Sequence, residues 1–262
     1  AYEIKECDWS SDVCSSDLAL WPQVRSALDG LRRALAPEEF DPATDEASFR
    51  IAMADAVATL IAPRLVQAIE SERARVSIRV VPLTTRDPRR LLHDGDADLA
   101  IGYFPEAAAA IVADGNQARE RLLRLHETRY VCVMRRGHPL AEQPLTLDAY
   151  CEAHHLLVSF SGRPHGLPDE ALAALGRQRR IVLTVNQFFT AGQVVTRSDL
   201  LTVLPLSFLS AAGTEDLIVS RPLPFELAPM AIHMLWPVRE DAAAAHRWLR
   251  EHVRRAAGAA EG

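Results

Sequence analysis

A chain of 262 residues, 48% hydrophobic and 24% charged, has an ordinary globular composition and the length for two modest domains. Its formal net charge of −6 argues against a general nucleic-acid surface, because neutralising phosphates requires a basic patch. The sequence has no apolar run near the roughly 18 to 20 residues that span a bilayer, and no export signal at its start, which predicts a cytoplasmic protein without a membrane partner.

The segment 1–18 differs in composition from the rest. It is rich in Ser and Asp, holds the only lysine, Lys5, and has no apolar period. Its last part, DWSSDVCSSDL, resembles one reading frame of a sequencing-adapter oligonucleotide. We therefore interpret 1–18 as a non-biological segment and exclude it from fold reasoning. The alternative is a disulfide arm between Cys7 and Cys14, which a reducing cytoplasm disfavours.

The segment 19–36 predicts one amphipathic helix. Pro22 suits its first turn and Pro37 ends it. A seam this narrow is covered either by a partner helix or by the chain's own domain, and periodicity leaves both possibilities open. A polar linker, 38–48, follows. The apolar seam consists of Leu20, Val24, Leu28, Leu31 and Leu35.

Strand and helix signals then alternate along the chain. This alternation predicts doubly wound, mainly parallel sheets in two lobes. We assign lobe I to 48–131 and 231–258, and lobe II to 132–230. Two crossings between lobes, near 130–134 and 229–233, would form a hinge with a ligand cleft. The predicted strands are 49–54, 75–83, 97–104, two runs within 121–134, 155–160, 180–185, 201–204 and 230–238, and the predicted helices are 56–72, 88–93, 145–152, 169–175, 188–198 and 241–257.

Five segments, in this order and spacing, resemble the effector-binding region of LysR-type transcriptional regulators. They are ALWPQVRSALDGLRRAL, FDPATDEASFRIAMAD, ADLAIGYF, ETRYVCVMRRGHPL and DLLTVLP. The resemblance covers 19–257. It implies a two-lobed α/β fold of the periplasmic-binding-protein-like type 2 class, each lobe a doubly wound and mostly parallel sheet, preceded by an amphipathic linker helix.

Family members carry an N-terminal winged helix-turn-helix that a long dimerisation helix joins to the effector domain. The resemblance implies that this chain enters midway through that helix, so the DNA-reading module is absent. It also implies that the seam in 19–36 pairs with a second subunit in a homodimer or homotetramer. DNA would then be reached only through the absent module.

Catalytic signatures are missing from the sequence. It contains no GxGxxG, GxxxxGK[ST], GxSxG or HExxH motif, which predicts a protein that is not an enzyme and needs no cofactor. His154 and His155 are adjacent and would point apart on a strand, so we predict no metal site. Cys132 and Cys151 are interpreted as small buried hydrophobes.

The predicted ligand contacts lie where strands end and helices begin, because free backbone N–H groups and helix dipoles favour carboxylates and other anions there. Ser159 and Ser161 would hydrogen-bond a polar group, and Arg163 would pair with a carboxylate. Each residue also has a plain structural explanation as a turn residue, a cap or a solvated charge. The candidates are Ala54, Asp55, Gly102, Tyr103, Phe104, Ser159, Ser161, Gly162, Arg163, Asn186 and Phe188.

Some candidates have individual roles. The rings of Tyr103, Phe104 and Phe188 would form apolar walls. Asn186 is the expected N-cap of the helix that follows it. Asp55 would repel an anionic effector although it caps well, which argues against a simple carboxylate effector.

The sequence therefore predicts the effector-binding and oligomerisation domain of a LysR-type regulator, which senses a small molecule between its lobes. One alternative is a free-standing two-lobed solute-binding protein, which the missing export signal and the amphipathic lead helix disfavour. Another alternative is an enzyme that uses the cleft, for which the sequence offers no catalytic constellation.

Overall fold

The structure is a computed structural model that describes Val24, Ala27, Leu28, 39–213 and 216–258. Val24 and Leu28 of the predicted seam are helical and about half exposed. The other seam positions, Leu20, Leu31 and Leu35, and the segment 1–18 lie outside the described residues. In the described part of the chain, no helix is long and apolar enough to cross a membrane.

The first lobe is built on a five-stranded sheet in the order β2-β1-β3-β10-β4. Strand β10 runs antiparallel to both neighbours, and the other four strands share one direction. Its elements are β1 (Ala47–Met53), α1 (Asp55–Ser71), β2 (Val76–Pro82), α2 (Arg89–His93), β3 (Leu99–Tyr103), α3 (Pro105–Asp114), a 3₁₀ turn (Gly115–Gln117), β4 (Glu120–Thr128), β10 (Met230–Pro237), a second 3₁₀ turn (Val238–Glu240) and α8 (Ala244–Gly258).

The second lobe repeats this plan with shorter strands. Strand β5 lies between β8 and β9 and is antiparallel to both, and β6 pairs with β7 in parallel. A parallel bridge between His155 and Leu201 connects the two parts. The elements are β5 (Tyr130–Arg135), α4 (Leu147–Glu152), β6 (His154–Val158), α5 (Leu167–Ala174), β7 (Arg180–Val185), α6 (Phe188–Val195), β8 (Thr202–Pro205), α7 (Leu206–Ala211) and β9 (Ile218–Arg221).

The central strands are buried on both faces because helices cover both sides of each sheet. Along β1, Ile51 and Met53 pack with α1 and α8 on one face, and Ala52 packs with Leu92 of α2 on the other. Strand β5 alternates between two clusters in the same way. Each lobe therefore has its own two-layered core.

The two-lobed, mostly parallel α/β fold is confirmed, with one strand in each lobe antiparallel to its neighbours. In both lobes that strand, β5 or β10, is the one on which the chain arrives from the other lobe. Strand β5 joins the second sheet from Tyr130, two residues before the expected lobe border. Three elements were not predicted: α3, α7 and β9. The last two are only six and four residues long, too short for a clear period.

Candidate functional site

A cleft of about 350 Å³ lies between the lobes and is lined by residues of both. From the first lobe come Ala54, where β1 gives way to α1, and Gly102 and Tyr103 at the end of β3. From the second lobe come Ser159, which follows β6, and Phe188, which begins α6. Strand ends and helix starts thus meet at one cavity, as is typical of ligand sites in open α/β sheets.

Seven of the eleven predicted contacts line this cleft: Ala54, Gly102, Tyr103, Ser159, Ser161, Arg163 and Phe188. Gly102 is buried, and a Cβ there would lie 3.0 Å from Leu83 Cδ2 and from Phe104 Cζ. A larger residue at this position would therefore require these two side chains to shift by a few tenths of an ångström.

Three other predicted contacts have different surroundings. Phe104 is fully buried in the first-lobe core beside Leu83 and Leu92, not in the cleft wall. Gly162 forms the turn of the loop 159–166 with a φ of +70°, and its N–H bonds to the Ser159 carbonyl. Asn186 is exposed and is not the helix cap, because α6 has Gln187 at its N-cap position without a side-chain hydrogen bond.

Asp55 also lies outside the cleft lining, and its role differs from the expected one. Its Oδ2 accepts a hydrogen bond of 2.8 Å from the backbone N–H of Phe189, the second residue of α6. The carboxylate of a first-lobe residue thus caps a second-lobe helix. The expected conflict with an anionic effector is reduced, because a helix N-terminus already offsets this charge.

The cleft is completed by residues that follow β2 and by residues at the lobe crossing. These contacts were not predicted from the sequence. Thr84, Thr85 and Arg86 follow the end of β2, so extending the strand-end argument to this strand would have found them. At the crossing, strand pairing brings together His126, Thr128, Tyr130, Met230 and Ile232. Ser207 of α7 joins them through its backbone N–H, which donates to Thr128 Oγ1 at 3.3 Å.

The walls of the cleft combine apolar rings with hydroxyl groups. Phe160 and Phe188 pack edge to face, with ring centroids 5.5 Å apart, and Val57 and Leu60 of α1 face the same cavity. Burial raises the pKa of Tyr130 to about 12, so its hydroxyl keeps its proton at neutral pH. A protonated phenol among apolar groups can donate a hydrogen bond to a ligand.

The cleft is lined by more positively than negatively charged side chains. Arg86 and Arg163 line it from opposite lobes, and Glu170 of α5 contributes one carboxylate. Two guanidinium groups against one carboxylate make the cleft suited to a polar or anionic group on a ligand.

The loop 159–166 forms one side of the cleft and is fixed at both ends. The Ser159 N–H bonds to the Val185 carbonyl at 2.8 Å, and the Gly166 N–H bonds to Asp169 Oδ2 at 2.8 Å. Asp169 is itself paired with Arg179, whose side chain is only 1% exposed. A buried ion pair thus holds the edge of the cleft in place.

This architecture defines a class of protein: a two-lobed ligand-binding domain with the type 2 periplasmic-binding-protein-like fold. Residues 42–258 match the family model of the LysR substrate binding domain. The chain belongs to the LysR-type transcriptional regulators, and this region is their effector-binding domain.

Individual proteins that are similar to the chain are also transcriptional regulators. The chain is 32% identical over 229 residues to the HTH-type transcriptional activator NahR of Pseudomonas putida, covering 87% of this chain and 73% of that protein. It is 27% identical over 226 residues to the HTH-type transcriptional activator NagR of Ralstonia sp, covering 86% and 72%. The regulatory domain of MexT, a transcriptional activator in Pseudomonas aeruginosa, superposes with a TM-score of 0.68 at 27% identity, covering 82% of this chain and 100% of that domain.

Proposed function

We propose that this chain binds one small organic effector in the interlobe cleft and transmits its presence to transcription through a DNA-binding module outside 19–262. The observation that carries the proposal is the convergence of both lobes on one cavity with apolar rings and hydroxyl groups. A ligand that contacts both lobes binds one lobe arrangement better than another, which is the requirement for a switch.

The lining favours an effector with an apolar body and one polar or anionic end. Phe160 and Phe188 offer ring surfaces, whereas Ser159, Arg163 and Arg86 offer hydrogen bonds and positive charge. The proposed contacts are the seven predicted residues that line the cleft, together with Arg86 and Tyr130.

Binding is tested by thermal shift and calorimetry of residues 19–262 against a panel of aromatic acids, amino acids and other metabolites. We expect one compound per chain to bind, and Arg163→Met to weaken its affinity about tenfold, as the loss of one charge-assisted hydrogen bond predicts. Arg90→Met, an arginine of α2 away from the cleft, is the matched control. The proposal fails if no compound binds, or if both variants bind a ligand equally.

We further propose that the chain acts without catalysis, as a cytoplasmic homodimer or homotetramer. LysR regulators bind DNA and generally oligomerise, and Val24 and Leu28 present a half-exposed apolar seam. Sedimentation of the chain should show an oligomer that Leu28→Glu weakens. A bound compound should be recovered unchanged by mass spectrometry, and its conversion would contradict the non-enzymatic role.

A further inference from the structure

One carboxylate lies between the N-termini of helices from different lobes. Asp55 is the first residue of α1 in the first lobe, and its Oδ2 accepts the N–H of Phe189 in α6 of the second lobe. Neither helix has a side-chain cap of its own, since the N-cap residues Ala54 and Gln187 provide none. Asp55 therefore supplies the capping acceptor of α6 from the other lobe.

The charge of Asp55 suits this position. The N-terminus of each helix carries the positive end of its dipole, so a negative group between α1 and α6 is attracted to both. The hydrogen bond to Phe189 can form only while the two lobes are together. It thus adds stability specifically to the closed arrangement.

The surroundings show that the contact is part of a larger junction between the lobes. Ala54 and Ala56, the neighbours of Asp55 in sequence, pack against a second-lobe cluster that includes Phe188 and Phe208. The other carboxylate oxygen, Asp55 Oδ1, is buried and has no hydrogen-bond partner within the described part of the chain. Closing the lobes therefore gains one charge-assisted hydrogen bond and costs the hydration of one oxygen.

The gain from the hydrogen bond and the cost of removing Oδ1 from water are of comparable size, so the contact between the lobes can open. Phe188 lines the effector cleft and is next to Phe189, whose N–H is bonded to Asp55. The position of Asp55 therefore determines the position of the Phe188 side of the cleft. We infer that Asp55 is a positioning residue that latches the lobes together and sets the balance between the closed and open cleft. This inference rests on the proposed function of the cleft as the effector site.

The first test is hydrogen exchange in the ligand-free chain. In the wild type, the Phe189 amide should be protected although it lies in the first turn of its helix. Asp55→Ala should speed its exchange about tenfold or more, the loss expected for a hydrogen bond to a charged group. Asp55→Asn keeps an acceptor but removes the charge, and should give an intermediate rate. Phe189→Ala keeps the backbone N–H and is the matched control.

The second test measures the distance between the lobes. Spin labels at Val112→Cys and Leu175→Cys report from exposed positions on the first and second lobe, with Cys7, Cys14 and Cys151 replaced by serine. Labelled chain is diluted with unlabelled chain, so that distances between subunits do not contribute. Asp55→Ala should add a longer distance that the wild type and Glu106→Ala lack. Glu106 is the control because it is an exposed acidic residue in the first turn of α3, in the same lobe.

The outcomes separate a latch from a local cap. A cap alone would change Phe189 exchange but leave the distance between the lobes unchanged. An unprotected Phe189 amide in the wild type overturns the inference without any variant, as does an unchanged distance in Asp55→Ala and Asp55→Asn. Neither test uses an effector, so failure of the proposed function, which is an absence of effector binding, is recognised separately.

Discussion

Arg179 and Asp169 form a two-pronged ion pair inside the second lobe. Arg179 Nε lies 2.7 Å from Asp169 Oδ1, and Nη2 lies 3.0 Å from Oδ2. Arg179 Nη1 also donates to the Tyr150 hydroxyl at 3.0 Å. Burial raises the pKa of Asp169, but the hydrogen bonds and the charge of Arg179 outweigh it, so that the net shift is downward. Arg179, the residue directly before β7, thus links the start of this strand to α5 and α4.

Replacing this arginine should be costly. Arg179→Met leaves the Asp169 carboxylate buried without its cation, and should lower the free energy of unfolding by about 3–5 kcal/mol. Urea unfolding at neutral pH measures the loss. Arg177→Met is the control, because Arg177 forms an exposed pair with Asp148 and should cause no measurable change. Equal losses in both variants would contradict the role of burial.

His155 should make the stability depend on pH. Burial, and then the charge of Arg179, lower its pKa to about 4 from an ordinary 6.5. Its Nε2–H donates to the Tyr150 carbonyl at 2.7 Å, and Nδ1 accepts from Arg179. Between pH 6.5 and 4 the unfolded chain binds a proton that the folded chain does not. His155 therefore leaves the free energy of unfolding undiminished above pH 6.5 and lowers it by about 3 kcal/mol as the pH falls towards 4.

The measurement is urea unfolding at several pH values in that window. His155→Gln removes the titrating group and should flatten the decline relative to the wild type. His154→Gln replaces the exposed neighbour and should retain the wild-type slope. An unchanged slope in His155→Gln would show that other groups cause the decline.

Two glycines should respond to alanine with opposite signs. Gly162 has a φ of +70° and nothing within 4 Å of a new Cβ, so Gly162→Ala should cost about 1 kcal/mol from backbone strain alone. Gly192 lies within α6, also with open space and with no positive φ, so Gly192→Ala should stabilise by about 0.5–1 kcal/mol. Thermal unfolding compares the two variants, and a loss in both would mean that the space at Gly192 is not available.

Cys132 should be unreactive in the folded chain. It is fully buried, and burial raises the pKa of its thiol to about 12, so almost no thiolate forms at pH 8. In a Cys7→Ser, Cys14→Ser background, an aromatic disulfide reagent should modify Cys151 before unfolding and Cys132 only in urea. Cys151 is half-buried and serves as the internal comparison. Modification of Cys132 at the rate of Cys151 would contradict its burial.

Local periodicity was sufficient for most of the fold. The strand 97–104 and the helix 56–72 agree with β3 and α1 to within a few residues, because each has a clear apolar pattern of its own length. Strand β9 and helix α7 were missed because four and six residues cannot establish a period. The two strand runs within 121–134 were predicted, but no local signal tells which sheet each strand joins, and only the pairing of Tyr130 with Pro205 assigns β5 to the second lobe.

The effector site was predictable only in part. The strand-end argument found Tyr103 and Ser159, but it also selected Phe104, whose ring turns into the core as α3 begins. His126 and Met230 reach the cleft through the pairing of β4 with β10, which joins residues about a hundred positions apart. No local pattern reports such a pairing.

By itself the sequence determined the alternating α/β plan, the two lobes and the family, because these depend on apolar spacing and on segments read in order. The tertiary structure decided what Asp55 does. Capping is a local property in a sequence, but here the acceptor and the N–H of Phe189 are separated by 134 positions and by the boundary between the lobes. Only the packing of α1 against α6 brings the carboxylate to the end of the other helix, where the positive end of the dipole favours it.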